Sequence, residues 1–208
     1  MAGIPDQSIV AEIESCRHRV ATRLNTEFEQ SEPGSVERLH LALALSPEDD
    51  RGARCLRDHL LWATPMQFPV VQEALEPHRN QILDFWWHHA LIEQHDAGER
   101  FQAAAALAEF ASGDERWNEL APFVAEHLTK ANVYMFLGQW LQQLQPARRH
   151  LTQALASILT DRSRSGRQRE VAAVALADYW RDEPEQLADI ILIADEATEF
   201  APVSYTHL

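Results

Sequence analysis

Basic residues, glycine and cysteine are scarce in this chain of 208 residues. Lysine and arginine number 18 against 32 aspartates and glutamates, so the net charge at pH 7 is −14. Such a charge repels nucleic acid and anionic membrane surfaces, because proteins bind phosphate groups by neutralising them with lysine and arginine. Only 7 glycines and 10 prolines are present, and runs of β-branched residues are few. Helix nearly throughout is therefore the expected secondary structure.

The two cysteines and the short apolar runs restrict the compartment that we expect. Cys16 and Cys55 form no metal-binding or redox spacing, and both fall in amphipathic helical stretches. We therefore expect both cysteines to be free, buried thiols in a reducing compartment. No uncharged apolar run approaches the ~20 residues that span a bilayer, and residues 1–6 lack the basic start of a signal peptide. These features predict a cytoplasmic protein without membrane insertion.

An alanine-rich motif occurs twice and indicates an internal repeat. Residues 100–108 (RFQAAAALA) return as residues 169–177 (REVAAVALA), an offset of 69 in sequence position, and residues 42–44 (ALA) are a fainter copy. Identical residues also meet at an offset of 60 between the first and second copies, starting from residue 5. Small side chains let two helix backbones approach closely, so the motif concerns packing and names no reaction.

This repeat predicts an all-α protein, namely an α-solenoid of HEAT-like helix pairs with about eleven helices. Each copy holds four helices, and three copies form a single repeat domain over residues 4–194. Their approximate bounds are residues 4–63, 64–130 and 131–194. Residues 195–202 resemble the start of a truncated fourth copy. Residues 203–208 (VSYTHL) match no copy and look like a non-native tail, so we expect the chain to be a fragment.

Local signals predict where several helices begin. Ser46 followed by Pro47 is typical of a helix N-cap and the first helical position. Ser112, with Glu115 three residues on, matches a capping box. Apolar residues between 133 and 144 recur at helical spacing and predict one amphipathic helix over that range.

Several stretches together resemble a known family. They are residues 38–49 (RLHLALALSPED), 70–77 (VVQEALEP), 100–108, 172–179 (AAVALADY) and 182–184 (DEP). The chain resembles, over about residues 5–202, the helical middle region of large planctomycete-type bacterial proteins. In that family a serine/threonine protein kinase domain usually precedes this region, and a formylglycine-generating-enzyme-like (sulfatase-modifying-factor) domain often follows it.

The resemblance implies a role as a spacer or docking scaffold between two catalytic ends. The Gly-rich loop, the strand lysine and the His-Arg-Asp and Asp-Phe-Gly motifs of kinases are absent from this sequence. We therefore expect a non-catalytic segment that binds protein partners or neighbouring domains of its own chain, without catalytic residues, cofactor or metal. An RNA-binding solenoid is disfavoured by the negative charge.

The densest polar cluster offers a different class of function. Asp84 and His88 lie four residues apart, as do His89 and Glu93, so each pair shares a helix face. The alternative hypothesis is a stand-alone small helical metal-binding protein or enzyme that uses these four residues, with His95 nearby. The structural interpretation is an amphipathic helix whose polar face happens to carry histidine and acid.

Arginines concentrate in one part of this acidic chain. The candidate interaction patch consists of Arg148, Arg149, Arg162, Arg164 and Arg167. Arginine forks match carboxylate or phosphate, so an acidic or phosphorylated partner is one interpretation. A solvated loop that offsets neighbouring acids is the other.

Six tryptophans fall mostly on apolar helix faces and are interpreted as core residues. Trp87 and Trp180 are the two that we expect to reach the surface of a groove.

Overall fold

The computed structural model describes residues 7–47, 49–130, 133, 135–183, 185, 186 and 188, with side chains from residue 19 onward. All regular structure in these residues is helical and no strand forms among them, so the predicted all-α class is confirmed. The predicted fourth copy (195–202) and tail (203–208) lie outside the described residues.

The helix bounds are as follows. The α-helices are α1 (Gln7–Gln30), α2 (Val36–Leu45), α3 (Asp50–Leu60), α4 (Phe68–Leu75), α5 (Arg79–Leu91), α6 (Ala97–Phe110), α7 (Trp117–Leu128), α8 (Leu137–Leu144), α9 (Arg148–Thr160) and α10 (Gly166–Tyr179). Short 3₁₀ turns, Glu76–His78 and Gln145–Ala147, lead directly into α5 and α9. The chain divides into two compact units, Met1–Ile82 and Leu83–Leu208.

In the first unit, α2 packs against both α1 and α3, and α3 packs against α4. Gly34 has a φ of 82°, a left-handed conformation that glycine adopts without cost, and it turns the chain between α1 and α2. The end of α2 is also held from a distance along the chain, because the buried ring of His78 donates a hydrogen bond from Nε2 to the carbonyl oxygen of Ser46.

The contact between α2 and α3 depends on Gly52, which is buried in the first turn of α3. A Cβ atom at this position would lie 2.9 Å from the carbonyl oxygen of Ala42 and 2.9 Å from the amide nitrogen of Ser46. Both neighbours are backbone atoms, so no side-chain rotation relieves the overlap. The two helices can therefore approach this closely only because residue 52 has no side chain.

Gly52→Ala is expected to lower the free energy of unfolding by about 1–3 kcal/mol, because overpacking outweighs the gain in helix propensity. Gly138→Ala is the matched control, since a Cβ atom at Gly138, in the first turn of α8, meets nothing within 4 Å. This second change should be neutral or stabilising by less than about 1 kcal/mol. Urea unfolding followed by circular dichroism measures both, and equal effects would contradict the close-approach argument.

The helix bounds recur at the same offset as the alanine-rich motif. Four consecutive elements, α4, the 3₁₀ turn Glu76–His78, α5 and α6, correspond in order to α8, the 3₁₀ turn Gln145–Ala147, α9 and α10. Every start and every end is displaced by the same amount, 137 minus 68 at the first helix and 179 minus 110 at the last. The hydrogen bonds that close the helix ends recur at the same offset. The amide of Ala111 donates to the carbonyl of Leu107, and at the equivalent positions the amide of Trp180 donates to the carbonyl of Leu176.

Helix α6 carries the first full copy of the alanine-rich motif and is buried nearly all round. Phe101 and residues 103–108 are each at most 2% exposed, and α6 packs against α7, α8 and the 3₁₀ turn Gln145–Ala147. The ring of Phe101 stacks on His127 of α7 at 4.5 Å and meets Trp140 of α8 edge-on at 5.1 Å. Burial, followed by the charge of Lys130, lowers the pKa of His127 to about 4, so this ring is neutral at pH 7 and packs as an apolar group.

The second full copy, in α10, is buried on one face only. Ala172, Ala175 and Leu176 are fully buried like their counterparts in α6. Ala173 is partly exposed and Ala177 is exposed, whereas Ala104 and Ala108 at the matching positions are fully buried. The two copies therefore share one packed face but differ on the other.

Two predicted helix starts are wrong. Ser46 lies at the C-terminal end of α2, and Asp49 is the N-cap of α3, where its carboxylate accepts from the amide of Arg51 at 2.7 Å. Helix α7 begins at Trp117 without a side-chain cap. The carboxylate of Asp114 instead forms a turn by accepting from the amide of Arg116 at 2.9 Å, so Ser112 does not cap a helix.

The helix predicted over residues 133–144 is shorter in the structure. Met135 and Phe136 form a turn, and α8 begins at Leu137. Buried Val133 falls in the helical register by position, which explains why spacing alone merged the turn with the helix. A capping box joins Ser165 to Gln168 at the start of α10.

Among the described residues, no helix combines the length and the apolar character that crossing a membrane requires.

Candidate functional site

The end of α5 and the start of α6 bring three potential metal ligands together. The side chains of His89, His95 and Glu99 each offer one ligand atom, and these atoms all lie within 4.8 Å of one another. All three side chains are partly buried. We call this group the His-Glu cluster.

The turn between the two helices places two members of the cluster. The amide of His95 donates to the carbonyl of Ile92 at 3.2 Å and closes the turn. The next residue, Asp96, is the N-cap of α6, and its carboxylate accepts from the amide of Gly98 at 2.8 Å and the amide of Glu99 at 3.3 Å. Because the cap fixes the first helical turn, Glu99 is held beside His95.

His89 is oriented by its own helix. Its Nδ1 lies 3.2 Å from the carbonyl oxygen of Phe85, one turn earlier in α5. A carbonyl oxygen can only accept, so Nδ1 carries the proton and the lone pair of the neutral ring is on Nε2. The ring stacks on that of His95, with centroids 4.4 Å apart and planes 11° apart. Nε2 of His95 is buried and has no hydrogen-bond partner among the described residues.

The structure groups the predicted histidine–acid residues differently from the sequence. Of Asp84, His88, His89 and Glu93, only His89 belongs to the His-Glu cluster, and the other three side chains are exposed. The pKa of Arg116 is raised, mainly by its hydrogen bond to Asp114, and the charge of Asp84 adds to this shift. His88 lies at the edge of the cluster, with its ring 5.8 Å from that of His95.

The candidate arginine patch falls at two ends of one helix. Arg148 and Arg149 open α9, and the other three arginines follow its C-terminal end. Thirteen helical residues at 1.5 Å each separate the two groups by roughly 20 Å. Arg148, Arg149, Arg162 and Arg167 are exposed. The structure therefore divides the five arginines between the two ends of α9, and it does not bring them all together.

Arg164 is occupied within the protein. Its guanidinium contacts both carboxylate oxygens of Glu126 on α7, at 2.7 and 2.8 Å, and also reaches Asp161 at 3.3 Å. The hydrogen bond and charge of Glu126 raise the pKa of Arg164, while hydrogen bonds from Ser163 do most to lower the pKa of Asp161. Arg164 thus links the loop before α10 to α7.

The first unit contains a cleft of about 560 Å³ with both charged and aromatic side chains on its walls. Its lining includes Phe28, Arg38, Cys55, Asp58, His59 and Trp62. Cys55 and His59 are one turn apart on α3, a spacing that a cysteine–histidine nucleophile could use. Burial raises the pKa of the Cys55 thiol and lowers the pKa of His59, so the pair favours neutral thiol and neutral imidazole over the reactive ion pair.

One of the two tryptophans predicted at the surface is buried. Trp87 is 2% exposed, because the guanidinium of Arg116 lies 4.2 Å above its ring and Trp117 meets it edge-on. Trp180 is partly exposed, as predicted. Trp62 was missed: it is 68% exposed just after the end of α3.

Comparison of the chain with protein-family models, with curated proteins and with solved structures finds no match. The candidate sites therefore depend on the geometry described above.

Proposed function

We propose that this chain is a non-catalytic helical-repeat scaffold of HEAT-like helix pairs that binds protein partners or positions neighbouring domains. One observation carries the proposal: the four consecutive elements from α4 to α6 recur, with every bound displaced by the same offset, as the four from α8 to α10. A shared ancestry or a shared packing unit explains such a coincidence, since unrelated helices would differ in length and spacing. Repeat proteins of this kind commonly act as binding surfaces.

The burial pattern supports the same architecture. Helix α6 packs against α7, α8 and the turn before α9, all of which follow α6 in the chain. In a repeat array each copy buries one face on the copy before it and one on the copy after it. Burial of α6 nearly all round, by elements that follow it, is what this rule predicts for a copy inside an array.

The resemblance to planctomycete-type kinase proteins suggests where the scaffold works. We place the chain between a serine/threonine kinase domain and a formylglycine-generating-enzyme-like domain of a larger bacterial protein. Arg162 and Arg167, exposed on either side of the Arg164–Glu126 ion pair in sequence, are the part of the predicted patch that we assign to an acidic or phosphorylated surface.

Extending the reading frame in the source DNA in both directions tests this placement. We expect kinase motifs upstream and a formylglycine-generating-enzyme-like domain downstream. A frame that closes without either domain would refute the linker role. With the flanking domains expressed, Arg162→Glu with Arg167→Glu should weaken their binding to the chain by about tenfold or more, measured by calorimetry. The matched change at the other end of α9, Arg148→Glu with Arg149→Glu, should leave it unchanged.

A further inference from the structure

The His-Glu cluster contains the ligand set of a transition-metal site. Two imidazoles and one carboxylate are the protein ligands of one well-known class of zinc sites, which leave a fourth position open to water. Around a tetrahedral ion, ligand atoms at about 2.0–2.1 Å from the metal lie about 3.3 Å from one another. The three ligand atoms here lie within 4.8 Å of one another, so closing the site requires side-chain movements of at most about 1.5 Å. Because the rings of His89 and His95 are nearly parallel, the ring of His95 must also turn about its side-chain torsions so that both lone pairs meet the ion, and Glu99 closes on it through its own torsions.

The ring nitrogens of both histidines suit this role in different ways. Metal-binding histidines usually donate their second ring nitrogen to a carboxylate or a backbone carbonyl, which fixes the tautomer and the ring orientation. His89 does this through Nδ1 and the carbonyl of Phe85. For His95, the buried Nε2 has no hydrogen-bond partner among the described residues, and such a nitrogen is costly unless it gains one.

The repeat shows that packing does not require these three residues. At the offset of 69, the positions of His89, His95 and Glu99 are taken in the other copy by Ile158, Arg164 and Gln168. Ile158 is a buried apolar residue, Arg164 pairs with Glu126, and Gln168 completes a capping box. Each position therefore has an ordinary structural solution in one copy and a metal-ligand residue type in the other. The three residues that differ in this way are the three whose side chains form the His-Glu cluster.

We propose that His89, His95 and Glu99 bind one Zn²⁺ ion, with water in the fourth position. The ion joins the last turn of α5 to the first turn of α6 and stabilises the folded chain by mass action. This site departs from the sequence-based expectation that the segment holds no metal. The proposed zinc site does not depend on the proposed scaffold role, because a bound ion would stabilise the fold whatever partner the chain binds.

The test is a titration of the tag-free, full-length chain with ZnCl₂, after a chelator has been added and removed. Isothermal calorimetry should give one high-affinity ion per chain, and Zn²⁺ should raise the melting temperature. Glu99→Gln, which keeps the size of the side chain, and His95→Ala should each weaken binding by about 100-fold or more. The matched controls Glu93→Gln and His88→Ala, both at exposed neighbouring positions, should bind Zn²⁺ as the wild type does.

Two measurements keep the test decisive. Circular dichroism shows whether each variant folds. If His95→Ala does not fold, the conclusion depends on Glu99→Gln alone. Co²⁺ in place of Zn²⁺ reports coordination directly, so the visible spectrum of the Co²⁺ form should change in Glu99→Gln and stay the same in Glu93→Gln. Equal Zn²⁺ affinity in Glu99→Gln and Glu93→Gln, or no saturable binding by the wild type, would overturn the proposal and leave the two rings as a stacked pair.

Discussion

Ala108→Glu is expected to unfold much of the protein, whereas Ala177→Glu, the same change at the equivalent position of the next copy, should leave its stability almost unchanged. Ala108 is fully buried in α6, and Ala177 is exposed in α10. A carboxylate at residue 108 would lose its hydration without gaining a partner and would also overfill a packed site. We expect a loss of more than about 4 kcal/mol in the free energy of unfolding, a large part of the ~5–15 kcal/mol that domains usually have.

The repeat makes Ala177→Glu an unusually close control. Both residues are the twelfth of a fourteen-residue helix, so helix propensity and the interaction with the helix dipole change equally. Exposed substitutions usually change the free energy of unfolding by less than about 0.5 kcal/mol. Far-UV circular dichroism and urea unfolding of both variants measure the difference. Similar losses at the two positions would mean that α10 is covered in solution on the face that the structure leaves open.

Local sequence patterns were sufficient to predict the all-α class, and the offset of the alanine-rich motif recurs in the bounds of the helices from α4 to α10. Helix propensity and apolar spacing act over a few residues, and the repeat adds an independent check because four of the elements occur twice. The residues at which helices begin and end were harder to predict. Ser46 and Asp49 are both good N-cap residues three positions apart, and their residue types do not distinguish between them, whereas the structure shows that Asp49 caps α3.

The candidate sites depend on contacts that local spacing does not contain. The sequence placed a metal pair on one helix, at Asp84, His88, His89 and Glu93, whereas the cluster in the structure joins two helices across a turn. The spacing of four residues between His95 and Glu99, with the N-cap residue Asp96 between them, is the signal that would have identified it. Ion pairing of Arg164 with Glu126 spans 38 residues and has no local signature.

The exposure of the tryptophans also could not be predicted from local spacing. Trp62 and Trp87 both lie at or near the ends of helices with apolar faces, and helical periodicity does not say which face a neighbour covers. Arg116 and Trp117 cover Trp87, and they belong to the start of α7, well beyond Trp87 in the chain. Burial of large side chains therefore depends on helix packing, which only the folded chain shows.

Removal of one full period should leave a protein that still folds. Deleting residues 84–152 joins Leu83 to Gln153, which occupies the position of Asp84 in the next copy, so α5 continues in register as α9 and α10 follows as α6 did. In an array whose copies pack alike, the remaining surfaces match. We expect a helical protein that unfolds cooperatively, with a urea m-value lower by about a third because about a third of the chain is gone.

Deleting residues 84–150 is the matched control, because it removes nearly the same length but leaves two extra residues in the joined helix. Each residue turns an α-helix by about 100°, so the apolar face beyond the junction rotates by about 200° and points away from the core. This control should lose cooperative unfolding and most of its helical circular dichroism. If the two deletions behave alike, either both folded or both unfolded, the coincidence of helix bounds does not reflect interchangeable packing units, and the repeat-scaffold proposal loses its main support.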